Sequence, residues 1–262
     1  MRKNILWHKQ YTVGRWGRGD DGYAVVVLNQ PINYNALDTV IQHATFVVCA
    51  DGGADRLRKY GESVKNGGSL RLPDVVVGDF DSLTAETADY YRDRGVDLVK
   101  QSDQYSTDFT KALRWIREAA RRSLDDRDLD VIVLGGLGGR VDQAFSQIHH
   151  LYMAGREAQL LRGRIYLLSE QSLSFVLNPG LNLIHIEPGY FEENVGIIPV
   201  CGPASITLKG FEWDVQDWPT EFGGQISTSN HIRSETLEVS FQGPPPLFTL
   251  ELALRFQASH PR

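Results

Sequence analysis

Ile132-Val-Leu-Gly-Gly-Leu-Gly-Gly-Arg-Val-Asp-Gln143 decides the reading of this chain. An apolar run stops at four glycines within residues 135–139, and an arginine and an aspartate follow at once. Two earlier runs end the same way. Phe46-Val-Val-Cys-Ala50 leads into Asp51-Gly52-Gly53, and Val75-Val-Val77 leads into Gly78-Asp79-Phe80-Asp81. Short β-branched runs that end in glycine and aspartate are the pattern of buried parallel strands reaching the ligand-binding rim of an open sheet. Several carboxylates and one amide-rich loop on a common rim suit a divalent cation holding phosphate.

Working outward, strands are predicted at Ala24–Leu28, Thr45–Cys49, Asp74–Val77, Val96–Val99 and Val131–Leu134. Helical segments fall between them: near Ala36–His43, Ala54–Tyr60, Thr84–Arg94 with Gly95 closing it, from Thr107 or Asp108 onward, and Val141–Met153. Thr107 is a good N-cap, and Asp108 suits the positive end of the helix macrodipole. This βαβ alternation predicts a Rossmann-like parallel α/β sheet covered on both faces. After about Arg164 the rhythm becomes short strands without helices, split by Asn178-Pro-Gly180, Gly202-Pro203 and Gly243-Pro-Pro-Pro246. That pattern predicts an all-β sandwich or barrel. The expected organisation is an N-terminal arm at 1–22, an α/β domain at 23–163 and a β-sandwich domain at 164–262.

A formal charge of -6 over 262 residues argues against a nucleic-acid binder, which carries a basic face. Cys49 and Cys201 give no disulfide framework, which fits a reducing, cytoplasmic setting. No apolar stretch is long enough to span a bilayer, so no membrane partner is expected. The basic, aromatic N-terminus reads as a surface arm and lacks the apolar segment of a signal peptide.

Asp79 and Asp81 flank Phe80, and in an extended segment residues two apart face one side, so both carboxylates would meet one cation. The competing reading is a solvated turn or a helix cap. Asp108 alone is an ordinary helix start, although the free amides there also suit phosphate. Gly135–Gly139 allow an anion nest, Arg140 can grip phosphate bidentately, and Asp142 suits a metal or substrate. This is no Walker loop, because no Gly-Lys-Ser/Thr follows. His149 and His150, adjacent on a helix, point apart and read as surface or packing residues. Ser227-Thr-Ser-Asn230 lines either a polar pocket or a simple turn. Trp213 is either core or a platform for a flat cationic ring.

Together these blocks resemble the thiamine pyrophosphokinase family in its eukaryotic type. The resembling segments are Leu28-Asn-Gln-Pro31, Cys49-Ala-Asp-Gly-Gly-Ala54, Gly78-Asp-Phe-Asp-Ser82, Thr107-Asp-Phe-Thr-Lys111, Leu134–Gln143, Gly196-Ile-Ile-Pro-Val200 and Ser227–Asn230. They run in order from about residue 24 to 254. The resemblance implies an α/β domain, a C-terminal β-sandwich and a homodimer with active sites between subunits. It also implies transfer of the diphosphoryl group of ATP to the thiamine hydroxyl, giving thiamine diphosphate and AMP. On the matching positions, the resemblance implies that Asp79, Asp81 and Asp108 would hold Mg2+ with Asp51 near the same centre. Asp79, Asp81, Asp108 and Asp142 serve catalysis. Gly136, Gly138, Gly139, Arg140, Thr107 and Lys111 bind ATP or its phosphates, and Gln104, Trp213, Ser227, Ser229 and Asn230 form the thiamine side. His231 departs from the usual threonine, and Phe248 stands where some relatives carry tryptophan.

Two rivals stand beside this expectation. A metal-dependent phosphohydrolase would use a D-x-D aspartate as covalent nucleophile, but that family's pair comes early in its domain and here follows two β-α units. A non-catalytic nucleotide or thiamine sensor would keep the fold and release no AMP.

Overall fold

The computed structural model describes residues 8–13, 22–63, 71–103, 105–157 and 159–257. They divide into two compact units. One holds the described residues between Trp16 and Glu170 plus Gln257, and the other holds His8–Val13 with Gln171–Phe256.

In the larger unit, β2 (Tyr23–Val27), β3 (Phe46–Ala50), β4 (Val75–Gly78), β5 (Asp97–Lys100), β6 (Asp130–Leu134) and β7 (Ile165–Leu168) lie in the order β7-β6-β2-β3-β4-β5. Every pairing among them is parallel. β2, β4 and β7 are buried along their whole length, and β3 and β6 at four of five positions, because the crossover helices cover both faces. β5 is the edge, where Asp97 and Lys100 face water and blunt the exposed strand.

The helices are α1 (Tyr34–Ile41), α2 (Gly53–Ser63), α3 (Ala85–Arg92), α4 (Asp108–Ser123) and α5 (Val141–Arg156). α4 begins where expected: Thr107 Oγ1 accepts the Thr110 N–H at 3.2 Å. Its Phe109, Leu113 and Ile116 are buried on one face. Gly95 sits at φ +75 just past α3, the left-handed stop that a side chain would disfavour.

The second unit is built from two arrays, antiparallel throughout except where His8–Val13 joins. β8 (Ser172–Val176), β10 (Phe191–Ile198), β13 (Ser227–His231) and β15 (Leu247–Leu252) run in the order β13-β10-β15-β8. β9 (Leu181–Ile186), β11 (Ala204–Lys209), β12 (Trp218–Thr220) and β14 (Thr236–Gln242) join β1 (His8–Val13) in the order β1-β9-β14-β11-β12. Burial alternates along β9, β11 and β14, as it does when one face packs and the other meets solvent.

Four sequence expectations change here. Part of the expected arm, His8–Val13, is a strand that pairs in parallel with β9. Leu167-Leu168, expected to open the β domain, belongs to Ile165–Leu168, the sixth parallel strand, and the two compact units divide at Glu170/Gln171. The strand's four buried residues need both faces covered, which a parallel sheet flanked by helices provides. β12 was missed: it is three residues long, contains Pro219 and lies at an edge, where proline is tolerated. Ser227–Asn230 belong to β13 itself, paired with β10 across an irregular register, rather than to a turn after a strand.

Candidate active site

Chain order reverses between β6 and β2, so the loops after these strands form the switch-point crevice of the sheet. Those loops are in close contact. A Cβ on Gly139 would lie 2.3 Å from Gln30 Oε1, and Gly139 has φ +74, so only glycine fits. Gly135, Leu137 and Gly139 all have positive φ, which alternates the direction of the loop amides as in an anion nest. The Leu137 N–H is taken by Gln147 Oε1 at 2.6 Å. Among the described residues, no protein acceptor takes the amides of Gly138 and Gly139.

On the same rim of the sheet, at the ends of β3 and β4 and the start of α4, carboxylate oxygens of Asp51, Asp79 and Asp108 lie within 4.8 Å of one another. Asp51 is 2% exposed and sits at φ +47, just past β3. Its Oδ2 accepts the Phe80 N–H at 2.9 Å, and its Oδ1 is buried with no hydrogen-bond partner. Gly78 makes this placement possible, since a Cβ there would come within 2.8 Å of Asp51 Cβ. Burial, and then the charge of Asp108, push the Asp51 carboxyl up to about 6. The Asp81 N–H on Asp79, assisted by Lys111, holds the Asp79 carboxyl below its usual range.

Lys111 lies in the middle of the acids. Its side chain is 1% exposed, with Nζ 2.9 Å from Asp108 Oδ1 and 3.5 Å from Asp79 Oδ2. Desolvation opposes the charge, but Asp108 and then Asp79 outweigh it and hold the ammonium above its ordinary value. An unpartnered buried carboxylate oxygen facing two more carboxylates is a donor set for a hard divalent cation. Three carboxylates and one ammonium leave a charge of -2, which such an ion would neutralise.

The remaining expected residues fall in distinct places. Asp81 is exposed and bonded to Ser82 Oγ at 2.9 Å, outside the three-acid group. β4 stops at Gly78 and Phe80 turns through φ +67, so the alternation of an extended strand does not apply across Asp79-Phe-Asp81. Asp142 is exposed and forms a two-point pair with Arg140, at 3.1 and 2.6 Å, and is not one of the three grouped acids. Gln104 lies outside the described residues. Beside Asp51 and Asp81, a groove of about 420 Å³ runs along Asn29, Gly52, Arg56, Ser82 and Thr84. Arg56 Nε donates to Asn29 Oδ1 at 3.1 Å there. Asn29 and Gln30 had no assigned role from sequence, because only the strand order puts the end of β2 beside the glycine loop.

In the second unit, Trp213 is 53% exposed. Asn230, 4% exposed, clamps it from both sides: Oδ1 accepts the Trp213 N–H at 3.2 Å, and Nδ2 donates to Trp213 O at 3.1 Å. The His231 ring lies 5.0 Å from the indole, and its Nδ1 is 2.8 Å from Glu212 Oε2. Arg233 also pairs with Glu212 and with Glu193. Ser229 is exposed at φ +56 on β13, and Ser227 is buried. Glu212 escaped the sequence reading, since a lone glutamate in Gly210-Phe-Glu-Trp carries no signal until His231 and Arg233 are seen to pair with it. Phe248 is fully buried against Phe175, ring centroids 5.4 Å apart, a packing role.

A parallel α/β unit with a buried carboxylate group and an amide-lined loop, followed by an antiparallel β unit, defines a phosphate-handling two-domain protein. Family models described as thiamin pyrophosphokinase, catalytic domain, and thiamin pyrophosphokinase, vitamin B1 binding domain, match residues 37–161 and 182–244. Thiamine pyrophosphokinase 1 of Oryza sativa subsp. japonica is 35% identical over 227 residues, 83% of each chain. Thiamine pyrophosphokinase 1 of Arabidopsis thaliana is 34% identical over 229 residues, 83% of this chain and 82% of the relative. The solved thiamin pyrophosphokinase of Candida albicans superposes with a TM-score of 0.80 at 25% identity, covering 94% of this chain and 93% of that one. The chain belongs to the thiamine pyrophosphokinase family.

Proposed function

We propose that the protein transfers the diphosphoryl group of ATP to the hydroxyl of thiamine, releasing AMP. The observation that carries this reading is a buried Asp51 with one unpartnered oxygen, grouped with Asp79 and Asp108 on the same sheet rim as an amide-lined loop. The names of the relatives and of both matching domain families support the same reaction.

In this proposal the thiamine hydroxyl oxygen attacks the β-phosphorus of ATP. The β-phosphorus–oxygen bond to the α-phosphate breaks, AMP leaves with that oxygen, and the hydroxyl proton is lost. Such a step needs alignment and charge neutralisation more than covalent help from the protein. Asp51, Asp79 and Asp108 would hold Mg2+, with Asp81 nearby, and the ion when bound would screen the phosphate charge. Lys111 orients Asp108 and Asp79. The amides of Gly138 and Gly139 bind phosphate, and Gly136, Thr107 and Arg140 complete the ATP side. Arg140 would exchange Asp142 for a phosphate oxygen, which frees Asp142 beside the reacting groups. The groove past Arg56 and Asn29 takes the rest of the nucleotide.

Trp213, 53% exposed, offers an aromatic surface that suits the cationic ring of thiamine. Ser227, Ser229, Asn230 and Gln104 complete that side in this proposal. The protein works as a homodimer in the cytoplasm, with the thiamine-side residues drawn from the partner subunit. Among the described residues no helix is long and apolar enough to cross a membrane.

The test is AMP release from ATP and Mg2+ by the purified protein, with and without thiamine, products separated by chromatography. Thiamine-dependent AMP matched by thiamine diphosphate is expected. ADP or free phosphate without thiamine dependence would overturn the proposal.

A further inference from the structure

α5 leaves the glycine-rich loop and buries two polar side chains, Gln147 at 6% and His150 at 3% exposure. Three residues apart on one helix, they share a face. Gln147 reaches back to the loop, where Oε1 accepts the Leu137 N–H at 2.6 Å and Nε2 donates to Gly135 O at 3.4 Å. This pins Leu137 at φ +58, a conformation a leucine rarely adopts without external support.

His150 reaches toward α4. Its Nε2 lies 2.8 Å from Thr107 Oγ1 and 2.9 Å from Thr110 Oγ1, and its ring stacks on Phe109 with centroids 4.6 Å apart. Its Nδ1 is 2.6 Å from Ser146 O, which can only accept. Nδ1 therefore carries the proton, and Nε2 accepts from the threonine hydroxyls. Thr107 caps α4, Asp108 is the next residue, and Lys111 follows one turn later.

We propose that Gln147 and His150 are paired positioning residues: one face of α5 holds both the phosphate-binding glycine loop and the end of α4 that carries Asp108 and Lys111. The proposal rests on the diphosphoryl-transfer reading above. Neither side chain touches the reacting groups. Each acts through a backbone or a cap whose placement sets the spacing between phosphate amides and carboxylates. Group transfer tolerates little misplacement, and side chains that orient ligand groups commonly control tenfold to hundredfold effects.

Three variants test this. His150→Phe keeps the ring and its stacking but removes the acceptor. His150→Gln supplies an acceptor again, and Gln147→Met fills the volume without an amide. The readouts are kcat, KM for ATP, KM for thiamine, and Mn2+ affinity by direct titration without nucleotide. His150→Phe is expected to weaken Mn2+ binding by roughly tenfold or more and to lower kcat, with thiamine KM unchanged. Gln147→Met is expected to raise the ATP KM by a similar factor with Mn2+ affinity held within about twofold. His150→Gln is expected to recover most of the loss.

Folded His150→Phe and Gln147→Met proteins with wild-type constants would overturn the proposal. So would equal losses in every readout that track a lower melting temperature and are not recovered by His150→Gln. If His150→Phe does not fold, Thr110→Val removes a hydroxyl from the other side of the contact. Weakened Mn2+ binding there supports the proposal, and unchanged binding overturns it. A wild-type protein without thiamine-dependent AMP release would sink the functional reading, while the Mn2+ titrations would still judge the positioning pair.

Discussion

Replacing Asp51 by asparagine should stabilise the metal-free protein near neutral pH and remove most of its response to Mg2+. The carboxyl is 2% exposed, one oxygen has no partner, and burial with Asp108 raises it from 3.8 to about 6. At 1.36 kcal/mol per pKa unit, that rise corresponds to about 3 kcal/mol. Because the folded-state value lies above the unfolded one, the native protein holds this proton more tightly. The stabilisation is complete below about pH 4 and is lost as pH rises through about 6. Asparagine is neutral throughout; its amide oxygen accepts the Phe80 N–H and its NH2 faces the other acids. A gain of about 1–3 kcal/mol is expected at pH 7.5 and close to none at pH 4.5. For a chain of this size that is roughly 3–10 °C in melting temperature. Melting curves of both proteins at the two pH values, in EDTA and in Mg2+, make the test. Wild type should be raised by Mg2+ at pH 7.5 far more than the variant, since a ligand stabilises the state that binds it. An Asp51→Asn protein less stable than wild type at pH 7.5 in EDTA, or equally raised by Mg2+, would refute the reasoning.

Lys111→Met leaves Asp79 and Asp108 without their buried counter-charge. Without divalent ions it should cost about 2–4 kcal/mol, measured by urea unfolding, and Mg2+ should restore part of that; no loss in EDTA would contradict the pairing. Asp81→Asn removes a charge that acts on Asp51 and should lower AMP release, while the melting temperature stays within about 2 °C because Asp81 is exposed. Wild-type turnover in that variant would remove Asp81 from the site. Trp213→Ala and Ser229→Ala should raise the KM for thiamine more than that for ATP in steady-state assays, and the reverse pattern would reassign the second unit. Gly139→Ala should raise the ATP KM, since its Cβ would meet Gln30 and its φ is positive; an unchanged KM would remove the loop from the nucleotide site.

The parallel half of the fold was legible because β2, β3, β4 and β6 are short apolar runs with a sharp stop at a polar residue or glycine. Val25–Val27, Val47–Cys49 and Val131–Leu134 are buried on both faces, so nothing polar interrupts them. Ile165–Leu168 has the same character but no glycine or aspartate after it, and so it was grouped with the β strands that follow. β1 and β12 were hidden for a different reason. His8–Val13 and Trp218–Thr220 sit at sheet edges, where one ladder partner suffices and alternation is weak. At the site, Asp51, Asp79 and Asp108 stood out because each follows a strand or starts a helix. The pairing of Asp79 with Asp81 was inferred from strand geometry that ends one residue too early, at Gly78.

Local chemistry, then, lies in the sequence: which runs are buried strands, where Thr107 caps a helix, and where glycines permit positive φ. These depend on neighbours a few residues away, whose spacing is written in order along the chain. The tertiary structure alone decided that Lys111 sits among the carboxylates, that Arg140 is held by Asp142, and that His150 reaches Thr107 across 43 residues. It also decided that Asp51 is desolvated enough to rise to about 6. Burial and long-range charge depend on what strand order and helix packing bring near, and spacing along the chain does not carry that information.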